Sequence, residues 1–208
     1  MLDSRELLVD GPTTADRTVV LAHGAGAPMD SPFMADVARA LAGTGLHVVR
    51  FEFPYMMRRR DVGRGGRPDP GPVLQQRWNA VIEHLGHPEK LVIGGKSLGG
   101  RIASMVADDA GVGGLVCLGY PFHPPGRPDK LRTAHLLELK TPALIVQGTR
   151  DPFGLPQEIE SYGLPDSIRV AFVGDGDHSF KPRVKSGRTL EQNVEDALAE
   201  IASFVGCL

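Results

Sequence analysis

Ser97 stands in Gly95-Lys96-Ser97-Leu98-Gly99, directly after the apolar run 91–93. A serine hydroxyl is a weak nucleophile unless it is exposed and faces a base. A strand, then Gly-x-Ser-x-Gly, then a helix lifts that hydroxyl out of a sheet on a sharp turn, and the flanking glycines leave room for the turn. The chain has 26 glycines, so the pentapeptide alone decides little and its context must agree. Two later loops supply context. Gly148-Thr149-Arg150-Asp151-Pro152 follows the apolar run 143–147, and Gly174-Asp175-Gly176-Asp177-His178-Ser179-Phe180 follows the run 169–173. A nucleophilic serine needs a base, and the base needs an acid to orient it. Ser97, Asp151 and His178 stand in the chain order of the α/β-hydrolase triad, and Asp175 and Asp177 are the local rivals for the acid.

Acyl transfer also needs two backbone N–H donors for the oxyanion. Leu98, next to the nucleophile, is expected to give one. The loop His23-Gly24-Ala25-Gly26-Ala27 is expected to give the other, from Ala25 first and Gly26 next. Small residues there let the backbone approach a substrate.

These residues need a scaffold that brings them together. Apolar runs at 18–22, 47–53, 91–93, 114–118, 143–147 and 169–173, with a weaker one at 7–9, read as strands covered on both faces. Between them lie helical signals. Ser31-Pro32 reads as an N-cap with proline at the first helical position, and Gly43 as the stop. Leu74, Trp78, Val81, Ile82 and Leu85 form one apolar stripe, and residues 98–109 read as the helix after the serine. Thr189 with Gln192 reads as a capping box before the stripe Leu190, Val194, Leu198, Ile201 and Phe204. Strands alternating with helices give a three-layer α/β fold, a mostly parallel sheet with helices on both faces. Ligands of such sheets bind at the carboxyl ends of the strands, where the serine turn and each loop above fall.

The 208 residues read as a single domain, 1–208. With 41% apolar and 23% charged residues and a net charge of −2, the chain gives no reason to expect nucleic-acid or membrane binding. The first six residues lack a charged-then-apolar leader, and Cys117 and Cys207 form no metal or redox spacing. A soluble, reducing, cytoplasmic setting is the expectation. His84 and His87 have a metal-like interval, but Gly86 and Pro88 end the helix there, so no metal is expected. Gly95-Lys96-Ser97 is not the end of a phosphate loop, because Lys90 stands where that pattern needs its first glycine.

Gly94-Gly95-Lys96-Ser97-Leu98-Gly99-Gly100-Arg101, His23-Gly24-Ala25-Gly26, Arg50-Phe51-Glu52-Phe53-Pro54-Tyr55 and Asp177-His178-Ser179-Phe180 resemble one small branch of the α/β-hydrolase superfamily. That branch is described as dienelactone-hydrolase-like. It includes a testis-expressed hydrolase-like protein and a scaffold subunit of a histone-acetyltransferase complex. The resemblance covers most of the chain. It implies the hydrolase fold and supports the Ser97, Asp151, His178 assignment, but supplies no substrate. True dienelactone hydrolases use a cysteine nucleophile where this chain has Ser97, so their activity is not carried over. The scaffold relative shows that the fold also serves in assembly, and a non-catalytic interaction module is the competing reading.

Three expectations complete the reading. Residues 56–68 carry Arg58, Arg59, Arg60, Arg64 and Arg67 against one acid, Asp61. They read as a solvated loop; in the sharper reading Arg58 and Arg59 form an electropositive collar for an anionic substrate or an acidic protein partner. Phe122 and His123, after the strand at 114–118, are expected to line the pocket wall or merely to stiffen a proline-rich loop. The segment before the next strand is too short for a lid domain. The expected activity is hydrolysis of an ester or related acyl bond of a small-molecule substrate through an acyl-Ser97 intermediate, with no cofactor.

Overall fold

The computed structural model describes residues 6–63 and 66–208. Seven strands form one sheet: β1 Leu7–Asp10, β2 Thr18–Ala22, β3 His47–Phe51, β4 Leu91–Lys96, β5 Gly114–Leu118, β6 Ala143–Gly148 and β7 Ile168–Val173, in the order β1-β3-β2-β4-β5-β6-β7. Only β1 runs antiparallel, against β3. Seven helices flank them: α1 Pro32–Gly43, α2 Pro54–Val62, α3 Gly71–Leu85, α4 Leu98–Ser104, α5 Ala107–Ala110, α6 Pro156–Glu160 and α7 Leu190–Gly206.

Residues of one strand alternate between two cores. Val20 and Ala22 join Phe51, Trp78, Ile93 and Ile102 on one face of the sheet. Val19 and Leu21 join Met34, Leu41, Ile201 and Val205 on the other. Burial on both faces is why these strands read as continuous apolar runs rather than alternating ones.

The strand order sets the site. After β2 the chain moves outward to β3; after β4 it moves the other way, to β5. β2 and β4 are therefore neighbours at the point where the order reverses, with Ala22 opposite Gly95. The crevice beyond their carboxyl ends is where an open α/β sheet takes its ligand. The loop after β2 and the turn after β4 both open into it.

Five expectations need correction. The strand at 47–53 stops at Phe51, because Pro54 takes the first position of α2. The arginine stretch is a loop only in its second part: Arg58, Arg59 and Arg60 lie in α2, which Gly63 closes in the left-handed conformation (φ 63°), while Arg67 follows it in irregular, exposed chain. Arg64 lies outside the described residues. The helix expected over 98–109 is two pieces. Ser104 Oγ donates back to Arg101 O at 2.7 Å, and the N–H groups of Met105 and Val106 bond three residues back instead of four, which tightens and ends the turn. Finally, Ser31 stands at the N-cap of α1 but makes no capping bond with its side chain. The capping box of α7 does form, with Thr189 Oγ1 accepting from Gln192 N–H at 3.2 Å and Gln192 Oε1 from Thr189 N–H at 3.0 Å. Its buried stripe is Asn193, Ala197, Ile201 and Val205, turned from the expected one, and Leu190 is exposed.

Candidate active site

Ser97 has φ 49° and ψ −109°, a conformation that L residues rarely adopt. The neighbours force it. A Cβ on Gly95 would lie 2.0 Å from Ala22 O, and one on Gly99 2.3 Å from the same atom. Only glycine lets β4 and α4 pass so close to β2, and the backbone between them must swing outward at Ser97.

His178 lies 81 residues further on, and its Nε2 is 2.9 Å from Ser97 Oγ. Its Nδ1 is 2.7 Å from Asp151 Oδ2. An ionised carboxylate only accepts, so Nδ1 carries the ring proton and Nε2 is left to accept from the serine hydroxyl. Asp151 is fully buried. It also accepts from Gln147 Nε2 on Oδ2 and from Phe153 N–H on Oδ1, each at 2.9 Å. These bonds satisfy a charge that would otherwise be costly to bury. Of its two local rivals, Asp175 accepts from Arg183 and Arg150, and the Arg183 side chain and N–H hold its carboxyl down to about 2. Asp177 accepts from the N–H groups of Ser179 and Lys181. Both brace the loop that carries His178.

Neither Ala25, Gly26 nor Leu98 donates its N–H to a protein acceptor among the described residues, and Ala25 and Gly26 line the same cleft as Ser97. The loop that holds Ala25 is pinned from behind. His23 Nε2 accepts from Phe53 N–H at 3.2 Å, so its Nδ1–H donates to Gly24 O at 2.7 Å. Burial lowers the His23 pKa and keeps that ring neutral. The Tyr55 hydroxyl, held protonated by burial, lies 3.3 Å from Gly24 O and 3.2 Å from Ala25 O.

The cleft at Ser97 measures about 340 Å³, and Phe33, Met34 and Phe153 form its apolar walls. No described element forms a lid over it: between β5 and β6 the described structure holds only the short turn Leu136–Glu138. Of the expected wall residues, neither Phe122, His123, Arg58 nor Arg59 is among its lining residues. Phe122 is buried in the core. His123 is buried too, with Nδ1 against Pro124 O and Nε2 3.3 Å from Glu158. Arg58 pairs with Asp69. Arg60 joins Glu52 to Asp30, and Glu52, almost fully buried, also accepts from Met29 N–H. This staple ties α2 to the end of the Ala25 loop. Arg60→Ser is accordingly expected to cost roughly 2 kcal/mol of stability by stranding Glu52, while Arg59→Ser, at a half-buried position whose side chain makes no ion pair among the described residues, stays within about 0.5 kcal/mol. Urea unfolding of the two variants measures the contrast.

A larger cleft, about 730 Å³, opens at Ser104, Asp108, His135 and Lys140. It holds another serine–histidine contact, Ser104 Oγ to His135 Nε2 at 2.8 Å. That contact lacks the other parts of a catalytic set. Ser104 lies in regular helix and gives its proton to Arg101 O, and among the described residues no carboxylate holds His135. It docks the 119–139 segment on α4.

Three residues that the sequence did not single out shape the site. Gln147 holds Asp151 and also bridges to Tyr120, accepting from its N–H and donating to its carbonyl. Phe153 packs on the His178 ring with centroids 4.3 Å apart. Asn193 Nδ2 donates to Gly174 O and Phe180 O, clamping both ends of the His178 loop. The signal for Gln147 and Asn193 was a polar residue at a buried position of its element, visible only once the burial is known.

No described helix is long and apolar enough to cross a membrane. The chain is similar over 93% of its length to an alpha-beta serine hydrolase homologue from Coxiella burnetii, of which it covers 90%, at 23% identity and a TM-score of 0.69. It is similar, again over 93%, to 88% of a dienelactone hydrolase from Anabaena variabilis at 23% identity and a TM-score of 0.70. A serine hydrolase without a lid from Xanthomonas campestris matches 95% of the chain with 88% of its own, at 23% identity and a TM-score of 0.67. Likenesses at this identity concern the fold. The profile of the family described as alpha/beta hydrolase domain matches residues 15–206, so the chain belongs to that family.

Proposed function

We propose that the protein is a serine hydrolase that cleaves an ester or related acyl bond through an acyl-Ser97 intermediate. The observation that carries this reading is the continuous chain from Ser97 Oγ through His178 to buried Asp151, with contacts of 2.9 and 2.7 Å, beside N–H groups that no acceptor among the described residues uses. His178 Nε2 takes the serine proton as Oγ attacks the acyl carbonyl. The Leu98 and Ala25 N–H groups receive the oxyanion, an effect worth roughly 3 kcal/mol per donor. His178 then protonates the leaving alcohol, which departs from the cleft. Water enters the uncovered cleft and gives a proton to the same nitrogen as its oxygen adds to the acyl carbon; the bond to Ser97 Oγ then breaks, His178 returns the proton to Oγ, and the acid leaves. Asp151 keeps Nδ1 protonated and steadies the imidazolium each time. Neither a metal nor a cofactor takes part in these steps.

A fluorophosphonate probe tests the reading, because it reacts only with an activated serine. The expected result is one covalent adduct per chain, mapped to Ser97, together with turnover of short neutral acyl esters. A folded protein that neither labels nor hydrolyses esters of graded chain length would leave the interaction-module reading in its place.

A further inference from the structure

Lys96 adjoins the nucleophile and, among the described residues, is the one lysine or arginine that lines the Ser97 cleft. Its stem passes Gly24, where a Cβ would come within 3.4 Å of Lys96 Cγ, and its ammonium ends beside Gly119, where a Cβ would lie 2.7 Å from Nζ. The ring centroids of Phe33 and Phe180 each stand 5.9 Å from Nζ and 6.0 Å from one another. Among the described residues no carboxylate touches it. Asp151 from the β6 loop and Asp177 from the loop after β7 act on it only through space. Nζ donates instead to the main-chain oxygen of His178.

A half-buried ammonium without a paired carboxylate still loses hydration, and a methionine would fill the same channel without that cost. The charge therefore calls for a reason beyond packing. The His178 loop supplies one. It includes two residues outside glycine's usual monopoly on positive φ, Asp175 at 52° and Phe180 at 66°, and it must hold an imidazole to within a few tenths of an ångström of Ser97. We propose that Lys96 is the positioning residue of this site: its ammonium grips the carbonyl of His178, so that nucleophile and base are set by one dipeptide. This inference rests on the serine-hydrolase reading above.

Burial pushes the Lys96 ammonium down to about 8. Above that pH the bond to His178 passes from charge-assisted to neutral and loses about half its strength. The test is phosphonylation of Ser97 by a neutral fluorophosphonate, with ester kinetics, from pH 7 to 9.5. The wild-type rate is expected to fall severalfold across pH 8. Lys96→Met is expected to react roughly 10-fold more slowly at pH 7, with KM within about twofold, and to show no further fall across pH 8. Lys96→Arg stays charged throughout and is expected to hold its pH 7 rate to pH 9.5; it serves alone if the methionine variant does not fold. A methionine variant as fast as wild type, a loss confined to KM, or a fall at pH 8 that persists in either variant overturns the proposal and leaves the serine-hydrolase reading standing. Wild-type protein that does not label at Ser97 overturns both.

Discussion

Ser97→Ala is expected to lower kcat for acyl esters by roughly five orders of magnitude and to abolish fluorophosphonate labelling, while the unfolding midpoint stays within a degree or two of wild type. The size follows from the loss of the bond-forming atom. No other hydroxyl stands 2.9 Å from His178 Nε2 in the described structure. The stability follows from the local geometry: the Ser97 side chain makes no capping bond to α4, and alanine bears the same φ of 49° that serine does. What remains is catalysis by the oxyanion donors and binding alone. Burst-free ester hydrolysis at the wild-type rate in this variant would take Ser97 out of the mechanism and redirect attention to the Ser104 cleft.

Asp151→Asn is expected to reduce kcat by about 10⁴, and here the hydrogen bonds say how. Asp151 receives three donors: His178 Nδ1 and Gln147 Nε2 on Oδ2, and Phe153 N–H on Oδ1. An asparagine has one acceptor oxygen. If it faces Phe153, its NH2 faces His178 and Gln147; the ring then turns to the tautomer that offers Ser97 a proton instead of a lone pair. If it faces His178, its NH2 opposes the Phe153 N–H. Gln147 cannot relieve the first arrangement by flipping, because its Oε1 holds the Tyr120 N–H at 2.8 Å. Either way a buried donor is left unpaired, at about 1–3 kcal/mol of stability. Asp175→Asn and Asp177→Asn are expected to keep activity within about tenfold, since neither carboxylate touches the imidazole. A dead Asp177→Asn beside an active Asp151→Asn would show the acid to be misassigned. Steady-state ester kinetics and urea unfolding on the three variants decide it.

The parts of this site that could be read from the chain are those that depend on local geometry. A strand, a Gly-x-Ser-x-Gly turn and a helix are contiguous, so residue types alone describe them. Asp151 and His178 were legible because a parallel sheet delivers every strand end to the same side, which turns chain order into spatial proximity. The roles of Lys96, Gln147 and Asn193 were not legible. Each acts across 13 to 82 residues through a bond to main chain, and main-chain donors and acceptors leave no mark on sequence. Asn193 also takes a fully buried place on α7 along with Ile201, which the apolar residues of that helix do not announce. The arginine stretch misled for a different reason. Pro54 and Gly63 carry ordinary start and stop signals, but the charges between them have no apolar period. Their partners Asp30, Glu52 and Asp69 flank the stretch rather than interrupt it.

The packing around Ser97 has a consequence for how this chain tolerates change. Gly94, Gly95, Gly99 and Gly100 each lack room for a methyl group: a Cβ there would meet Val116 O at 1.8 Å, Ala22 O at 2.0 and 2.3 Å, and Gly95 O at 2.7 Å. These four positions are closed to substitution by the fold itself. Ser97 is the reverse. Its backbone angles suit glycine better than serine, and its side chain makes no capping bond to the helix it precedes. Random drift under selection for a folded protein alone would erase the hydroxyl and preserve its frame. A lineage that kept this fold for another purpose would therefore still display the glycines, and the serine would be the first letter of the turn to go.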